Sequence, residues 1–269
     1  MAGIILIRGG GDLASGVAVR LVHAGLQVVI AELPEPLAVR RLVAFSSAVT
    51  AGEIQVEDIV ARRTASPAQA LELLAQGVLP ALVDPALACR EALDPLVVVD
   101  ARMTKQAPTT GREMAPLVVG LGPGFIAGDN CHAVVETQRG PFLGRVIWQG
   151  PAEVDSGLPD PVGTRIAERV LRAPADGPLT AYAAIGDLLE AGDPIAEVSG
   201  NVIRAPFKGL LRGLVQPGLV VQRGLKVGDL DPRLDSRLAR LVSDKALAVG
   251  GGVLEAVLTR EAIRQRLWG

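Results

Sequence analysis

The sequence predicts an α/β half, a mostly parallel sheet with helices on both faces, followed by a pseudo-twofold β domain. Three observations carry that prediction. Short apolar runs alternate with helical patterns from residue 1 to about 100, and a run of glycines joins the first apolar run to the first helical pattern. Further on, Val170 to Val198 aligns without a gap with Val202 to Leu230 at an offset of 32. A fixed period marks a repeated structural unit, and two copies are too few for a solenoid, so the halves are expected to bury one shared core.

Taken in order, Ile4 to Ile7 is the first strand. Leu13, Val17 and Leu21, with Ala14, Ala18 and Val22, then recur at helical spacing until Gly25 stops the helix. Val28 to Ala31 is a second strand. Pro36 to Phe45 is expected to form a second helix, and Val49 to Val60 fits neither period and reads as an irregular insertion. Ser66-Pro67 starts a third helix that ends near Gly77, and Val78 to Val83 and Leu96 to Val99 are further strands. Between about 101 and 165 the chain turns Gly- and Pro-rich, with short strands at Leu117 to Leu121, Ala133 to Val135 and Val146 to Trp148. After the repeat, Asp231-Pro232 breaks the β pattern. Gly250-Gly251-Gly252 then reads as a connector packing a last helix onto the body, with a second phosphate-cradling turn as the alternative. The expected domains are 1–105, a Rossmann-like nucleotide-binding half; 106–168, a connecting strand and loop region; 169–232, the duplicated β domain; and 233–269, a glycine-rich turn and helix.

At 269 residues and 49% hydrophobic content, the chain has room for two cores. A net charge of −2 without long basic runs gives no electrostatic footprint for nucleic acid, and 3% aromatics leaves little to stack bases. No stretch is long and apolar enough to span a bilayer, so no membrane role is expected. The opening run lacks a basic leader and reads as a strand. The 2 cysteines, Cys89 and Cys131, form no framework, which makes a reducing cytoplasm the expected compartment.

Arg8 to Ala14 fits G-x-G-x-x-[GA] between a strand and a helix. Gly9, Gly10, Gly11, Asp12 and Ala14 are therefore candidate ligand-binding positions: the glycines let backbone approach a pyrophosphate whose charge lies on the helix N-terminus. Glu32, at the end of the second strand, stands where a carboxylate meets a ribose hydroxyl. Asp12 would repel a bound phosphate or occupy its place, and Arg8 would offset it; a plain capped turn is the alternative. Arg102 and Lys105 follow a strand and are candidate anion-binding residues, or members of a solvated ion pair, with Asp84 at a neighbouring strand end. On an extended stretch His132 and Glu136 share a face beside Cys131, but no ligand spacing such as HExxH or CxxC occurs, so no metal site is expected. His132 and Lys105 are the nameable candidates for a general acid or base.

Arg172-Ala173-Pro174 with Gly177, and Arg204-Ala205-Pro206 with Gly209, resemble the biotinyl/lipoyl-type barrel-sandwich module, in which a hairpin between the halves holds a carrier lysine. Here that hairpin reads Ser199-Gly200-Asn201, and Lys208 and Lys226 lie elsewhere, so no covalent biotin or lipoate is expected. Along nearly the whole chain, RGGGDLASG, AELPEPLAVRR, VAFSSAV, VDARMTK, LGPGF, HAVVETQRG, LGRVIWQG, RVLRAP, GLLRGLV, GLKVGDLDPR and SDKALAVGGGVLEA resemble the YqeB-type accessory proteins of selenium-dependent molybdenum hydroxylase systems. The resemblance implies a cytoplasmic, prokaryotic accessory protein that prepares, inserts or modifies a molybdoenzyme cofactor. Its ligand would be a nucleotide or a molybdopterin dinucleotide, and its partners a molybdenum hydroxylase client or that client's maturation proteins. The competing expectations are an NAD(P)-dependent oxidoreductase and a non-catalytic client-docking module.

Overall fold

In the computed structural model the described residues are 2–103, 108–154 and 168–268. The chain forms two compact units. One is built from Met1–Pro36, Phe45–Ser156 and Val242–Gly269, the other from Leu37–Ala44 and Gly157–Leu241.

The first unit is mixed α/β. Its strands are β1 (Ile4–Arg8), β2 (Gln27–Glu32), β3 (Glu53–Val56), β4 (Ile59–Thr64), β5 (Leu79–Val83), β6 (Val97–Asp100), β7 (Leu117–Leu121), β8 (Ile126–Ala127), β9 (Ala133–Val135), β10 (Val146–Ile147) and β11 (Gly150–Pro151). The helices are α1 (Asp12–His23), α2 (Ser47–Ala51), α3 (Pro67–Ala75), α4 (Arg90–Leu93), α5 (Asp244–Thr259) and α6 (Glu261–Arg264). Nine strands form one sheet in the order β10-β9-β7-β6-β1-β2-β5-β4-β3. It is parallel from β9 to β4, and β10 and β3 close its edges antiparallel. From β1 the chain moves one way to β2, and later returns to β6 on the other side of β1 before reaching β7 and β9. The strand order therefore reverses between β1 and β6, and the carboxyl ends of strands at such a reversal are where open α/β sheets bind ligands.

Side chains alternate across this sheet, and both faces are apolar. Ile4, Leu6, Val29, Val98, Val118 and Val134 pack in one core with Ala70 of α3 and Leu93 of α4. Ile5, Ile7, Ile30, Val97 and Val99 are equally buried on the other face. There α5 lies over β9, so close that a methyl at Gly252 would sit 2.8 Å from Val135 Cγ1. The α3 helix starts as expected: Pro67 occupies its first turn and the Ser66 hydroxyl accepts the Gln69 N–H at 3.2 Å.

Two expectations for this unit change. Residues 49–60 are the end of α2 and an edge hairpin, with Glu53 paired to Arg62 and Val56 to Ile59. The glycine triplet is no turn: Gly250, Gly251 and Gly252 lie inside α5. Helix packing explains them. Methyl groups at Gly16 and Gly250 would fall 2.4 Å from the carbonyl oxygens of Ala246 and Gly16 respectively, so α1 and α5 meet backbone to backbone. Gly252 is as closely set against the Gly144 carbonyl.

The second unit carries the duplication: β12 (Val170–Arg172), β13 (Gly177–Ala181), β14 (Leu188–Leu189), β15 (Pro194–Val198), β16 (Asn201–Arg204), β17 (Gly209–Leu214), β18 (Val220–Val221) and β19 (Lys226–Asp231). Two four-stranded antiparallel sheets run β12-β19-β17-β14 and β16-β15-β13-β18, and each mixes strands of both copies. The relation is reciprocal at the atomic level. Arg172 donates to the Gly224 carbonyl at 2.9 Å and Arg204 to that of Gly192 at 3.0 Å. Likewise Gly218 N–H reaches Leu179 O, and Gly186 N–H reaches Leu211 O, both at 2.8 Å. Leu179, Ile195, Val198, Leu211, Val227 and Leu230 fill the shared core. Ser199 and Gly200, at φ +49° and +78°, make the tight turn between β15 and β16.

The helix expected over 36–45 is absent; its middle forms a single 3-10 turn at Arg41–Val43. The segment serves β17 instead: Leu214 N–H donates to Val39 O at 2.8 Å, and the Arg41 side chain donates through Nε to Leu214 O at 2.7 Å. Beside this, Asp229 is ion-paired with Arg169 and with Arg212, at 2.7 Å for the latter; Arg212 also reaches Asp231 at 3.1 Å, and Arg233 holds Asp231 at 2.7 Å. Both aspartates are 1% exposed, so the network lies inside the unit.

Candidate functional site

The expected glycine turn lies at the reversal of strand order, immediately after β1. Gly9 takes φ +94°, a conformation that disfavours a side chain, and its N–H donates to Ala31 O at 2.8 Å. Gly10 is packed: a methyl there would lie 2.8 Å from Ser46 N, whose N–H donates to Gly10 O at 2.8 Å. Glu32 Oε2 accepts Gly10 N–H at 2.7 Å, and Oε1 accepts Leu33 N–H at 2.7 Å. The carboxylate thus fixes the turn from the end of β2. Gly11 is the opposite of Gly10, with open space where a Cβ would stand, and it caps α1 without any side-chain hydrogen bond to the first turn. Asp12 and Ala14 lie in that first turn, Asp12 partly exposed and Ala14 buried.

Beneath the turn, Arg8 and Asp100 are register partners on β1 and β6. Arg8 is 8% exposed and Asp100 is 0% exposed. Arg8 Nη1 donates to the Thr109 and Thr110 hydroxyls at 2.9 Å each, and Nη2 to Pro85 O at 2.8 Å. Thr110 donates to Asp100 in turn. Arg102 grips Asp100 through Nε at 3.0 Å and Nη2 at 2.7 Å, and its Cγ lies 3.3 Å from a methyl placed on Gly9. The anion-site expectation and the ion-pair alternative thus meet in one residue, since Arg102 is paired and yet stands against the glycine turn. Burial, then the nearby Arg102 charge, lowers the Arg8 pKa, and Asp100 and Asp84 partly restore it. Arg8 Nε and the Ser46 hydroxyl are buried and have no hydrogen-bond partner among the described residues. Arg102 Nη1 likewise makes no hydrogen bond there. Lys105, the other expected anion ligand, lies outside the described residues.

Asp84 closes the adjoining turn, accepting Ala88 N–H at 3.0 Å and Cys89 N–H at 2.7 Å. Burial raises its pKa, but these bonds more than offset that and hold it below the ordinary carboxylate value. Sequence reasoning missed Thr109, Thr110 and Ser46. The two threonines had no signal, because their partners are far away in sequence; Ser46 could be suspected only from the close approach of backbone that Gly10 requires.

The second group of candidates does not assemble. His132 Nδ1 accepts Val118 N–H at 2.9 Å, and the His132 backbone N–H donates to Val118 O at 2.9 Å. Glu136, 1% exposed, instead accepts Thr137 and Gln138 N–H at 2.6 Å and Glu153 N–H at 2.7 Å. Its carboxylate organises a loop. His132 stands beside β7 and β9, three strands from β1, or roughly 14 Å at ~4.8 Å per strand. The geometry thus separates the candidate acid or base from the glycine turn. Burial pushes the Cys131 thiol up to about 11 and that of Cys89 to about 12, the latter aided by Asp84, which makes neither a thiolate nucleophile. Among the described residues no three His, Cys, Asp or Glu side chains group as a metal site would require, and no helix is long and apolar enough to cross a membrane.

Fold and site together define an α/β protein with a glycine turn where the strand order reverses, joined to a duplicated β unit. Over 255 residues the chain is 47% identical to a protein of Escherichia coli strain K12 named YqeB and described as uncharacterized, an alignment that takes in 95% of this chain and 47% of that protein. The similarity supports the YqeB family label for the stretch they share, and the chain spans about half the length of that relative. No family model matches the chain. Among solved structures, the product-bound ectoine utilization protein EutE of Ruegeria pomeroyi is 13% identical with a TM-score of 0.30, each chain covered to 85%. An aspartoacylase family protein of Mesorhizobium loti is 11% identical with a TM-score of 0.26, over 85% of this chain and 84% of that one. Similarity at this level gives no ground for a shared site.

Proposed function

We propose that the chain binds a nucleotide-type ligand, either a nucleotide or a molybdopterin dinucleotide, at the carboxyl ends of β1 and β6, and acts as an accessory protein in the maturation of a molybdenum hydroxylase. The observation that carries the ligand reading is the division of labour in the glycine turn. Gly10 is locked by Ser46 and Glu32, while Gly11 leaves open space before an uncapped helix end. An anion there would meet the first-turn amides of α1 and the Nη1 of Arg102, which makes no hydrogen bond among the described residues and whose position Asp100 fixes. Arg8 Nε and the Ser46 hydroxyl, without a partner among the described residues, add polar groups to the surroundings of the turn. A pyrophosphate, common to both ligand classes, fits this donor set. The maturation role rests on the family resemblance.

The duplicated unit is, on this proposal, a barrel-sandwich module without the carrier lysine, a docking surface for the client enzyme or its maturation proteins. Its reciprocal strand exchange supports that reading. Native mass spectrometry with small-molecule extraction tests the ligand, on protein purified from a host that synthesises molybdenum cofactor. A bound molybdopterin dinucleotide or other nucleotide is expected. Protein that emerges empty, and whose melting temperature no added nucleotide changes, would overturn the proposal.

A further inference from the structure

We infer that the large sheet carries a second anion site away from the glycine turn, in which His132, Arg112 and Arg260 beside Trp148 take a phosphate group. Arg112 is tied to the turn before His132 by its Nη1 bond to Gly128 O at 2.8 Å, and Gly128 N–H donates to Cys131 O at 2.9 Å. Ile147 pairs with Val134, which brings Trp148, one residue further along this antiparallel pair, beside Ala133 and His132. Arg260, at the end of α5, stands with its guanidinium 4.4 Å from the Trp148 ring centroid.

Three cation-capable groups thus lie in one neighbourhood of the sheet. Glu113, Asp129, Glu255 and Glu261 lie on the surrounding elements, and among the described residues no carboxylate pairs with either arginine; Glu261 accepts instead from Gln265 at 3.0 Å. Because Nδ1 accepts from Val118, the neutral imidazole carries its proton on Nε2, which has no partner among the described residues and is not enclosed. Burial, then the charges of Arg112 and Arg260, hold His132 below its ordinary value. One Nε2–H and two guanidiniums form a donor set suited to a phosphate, whose charge would relieve the repulsion between them.

The chain has 2 histidines, so the test carries its own control. His23 is paired with Asp58 at 3.0 Å, and the pH titrations of both imidazoles can be followed by NMR in inorganic phosphate and in chloride of matched ionic strength. Phosphate is expected to move the His132 midpoint upward by about one pH unit and to leave His23 in place. Arg112→Gln and Arg260→Gln should each reduce that response, with an unchanged His23 titration showing that the fold is intact. A His132 midpoint indifferent to phosphate, or one that moves in step with His23, overturns the inference. Neither result depends on what binds at the glycine turn.

Discussion

Gly10 and Gly11 are chemically identical neighbours with opposite duties, and substitution should separate them. A methyl at Gly10 has backbone in its way, so Gly10→Ala should cost about 1–3 kcal/mol, read as a lowered melting temperature. Gly11→Ser has room and extended backbone at φ −70° and ψ −171°, and its hydroxyl would cap α1. Stability should hold or rise slightly, while a nucleotide competing for the same amides should lose about 1.5–3 kcal/mol of binding, measured by calorimetric titration. The two cysteines should not react with a thiol reagent in the native protein at pH 8, and should react fully once it is unfolded; labelling before unfolding would contradict their burial. At this scale the glycines and Glu32 were legible, because close backbone approach and the end of a strand restrict residue type locally. The network of Arg8, Thr109, Thr110 and Asp100 was not, since its members meet only after the sheet has formed.

Among the elements, β19 carries the strongest internal commitment. Asp229 answers two arginines from inside the second unit, so Asp229→Asn should leave buried positive charge uncompensated and cost about 3–5 kcal/mol in denaturant melts. Acid should act in the same direction. For Asp229, burial favours the neutral acid but the charge of Arg212 overrides it; for Asp231, burial is outweighed by the Arg233 hydrogen bonds. Both pKa values lie below their unfolded values, so their stabilisation is present above about pH 4 and is lost as pH falls through the folded values. Melting temperature measured against pH should drop on that acid side, and by less in Asp231→Asn. The strands and α1 were readable because apolar period and caps are local signals. The helix expected at 36–45 fails because Val39 and Arg41 give their hydrogen bonds to β17, a tertiary demand that overrides local propensity. The glycine triplet misleads in the same way, as it answers a neighbouring helix and not a turn.

In the whole molecule, the α/β unit is discontinuous in sequence, and the duplicated unit occupies most of the gap between Ser156 and Val242. Alternation of strands and helices revealed the α/β class, and the offset of 32 revealed the duplication, but neither could show that α5 returns to α1. A chain ended after Leu241 would lack α5, and the buried face of α1 would lose its cover. That variant should show exposed apolar surface by dye binding and lose the cooperative melt of the α/β unit. The backbone contact between Gly16 and Gly250 also fixes an order of events during synthesis. Emerging from the ribosome amino end first, the duplicated unit has all its strands in hand while the α/β sheet still waits for α5. For that interval the face of α1 that α5 covers stays open, and a pause in translation just before residue 244 would lengthen it.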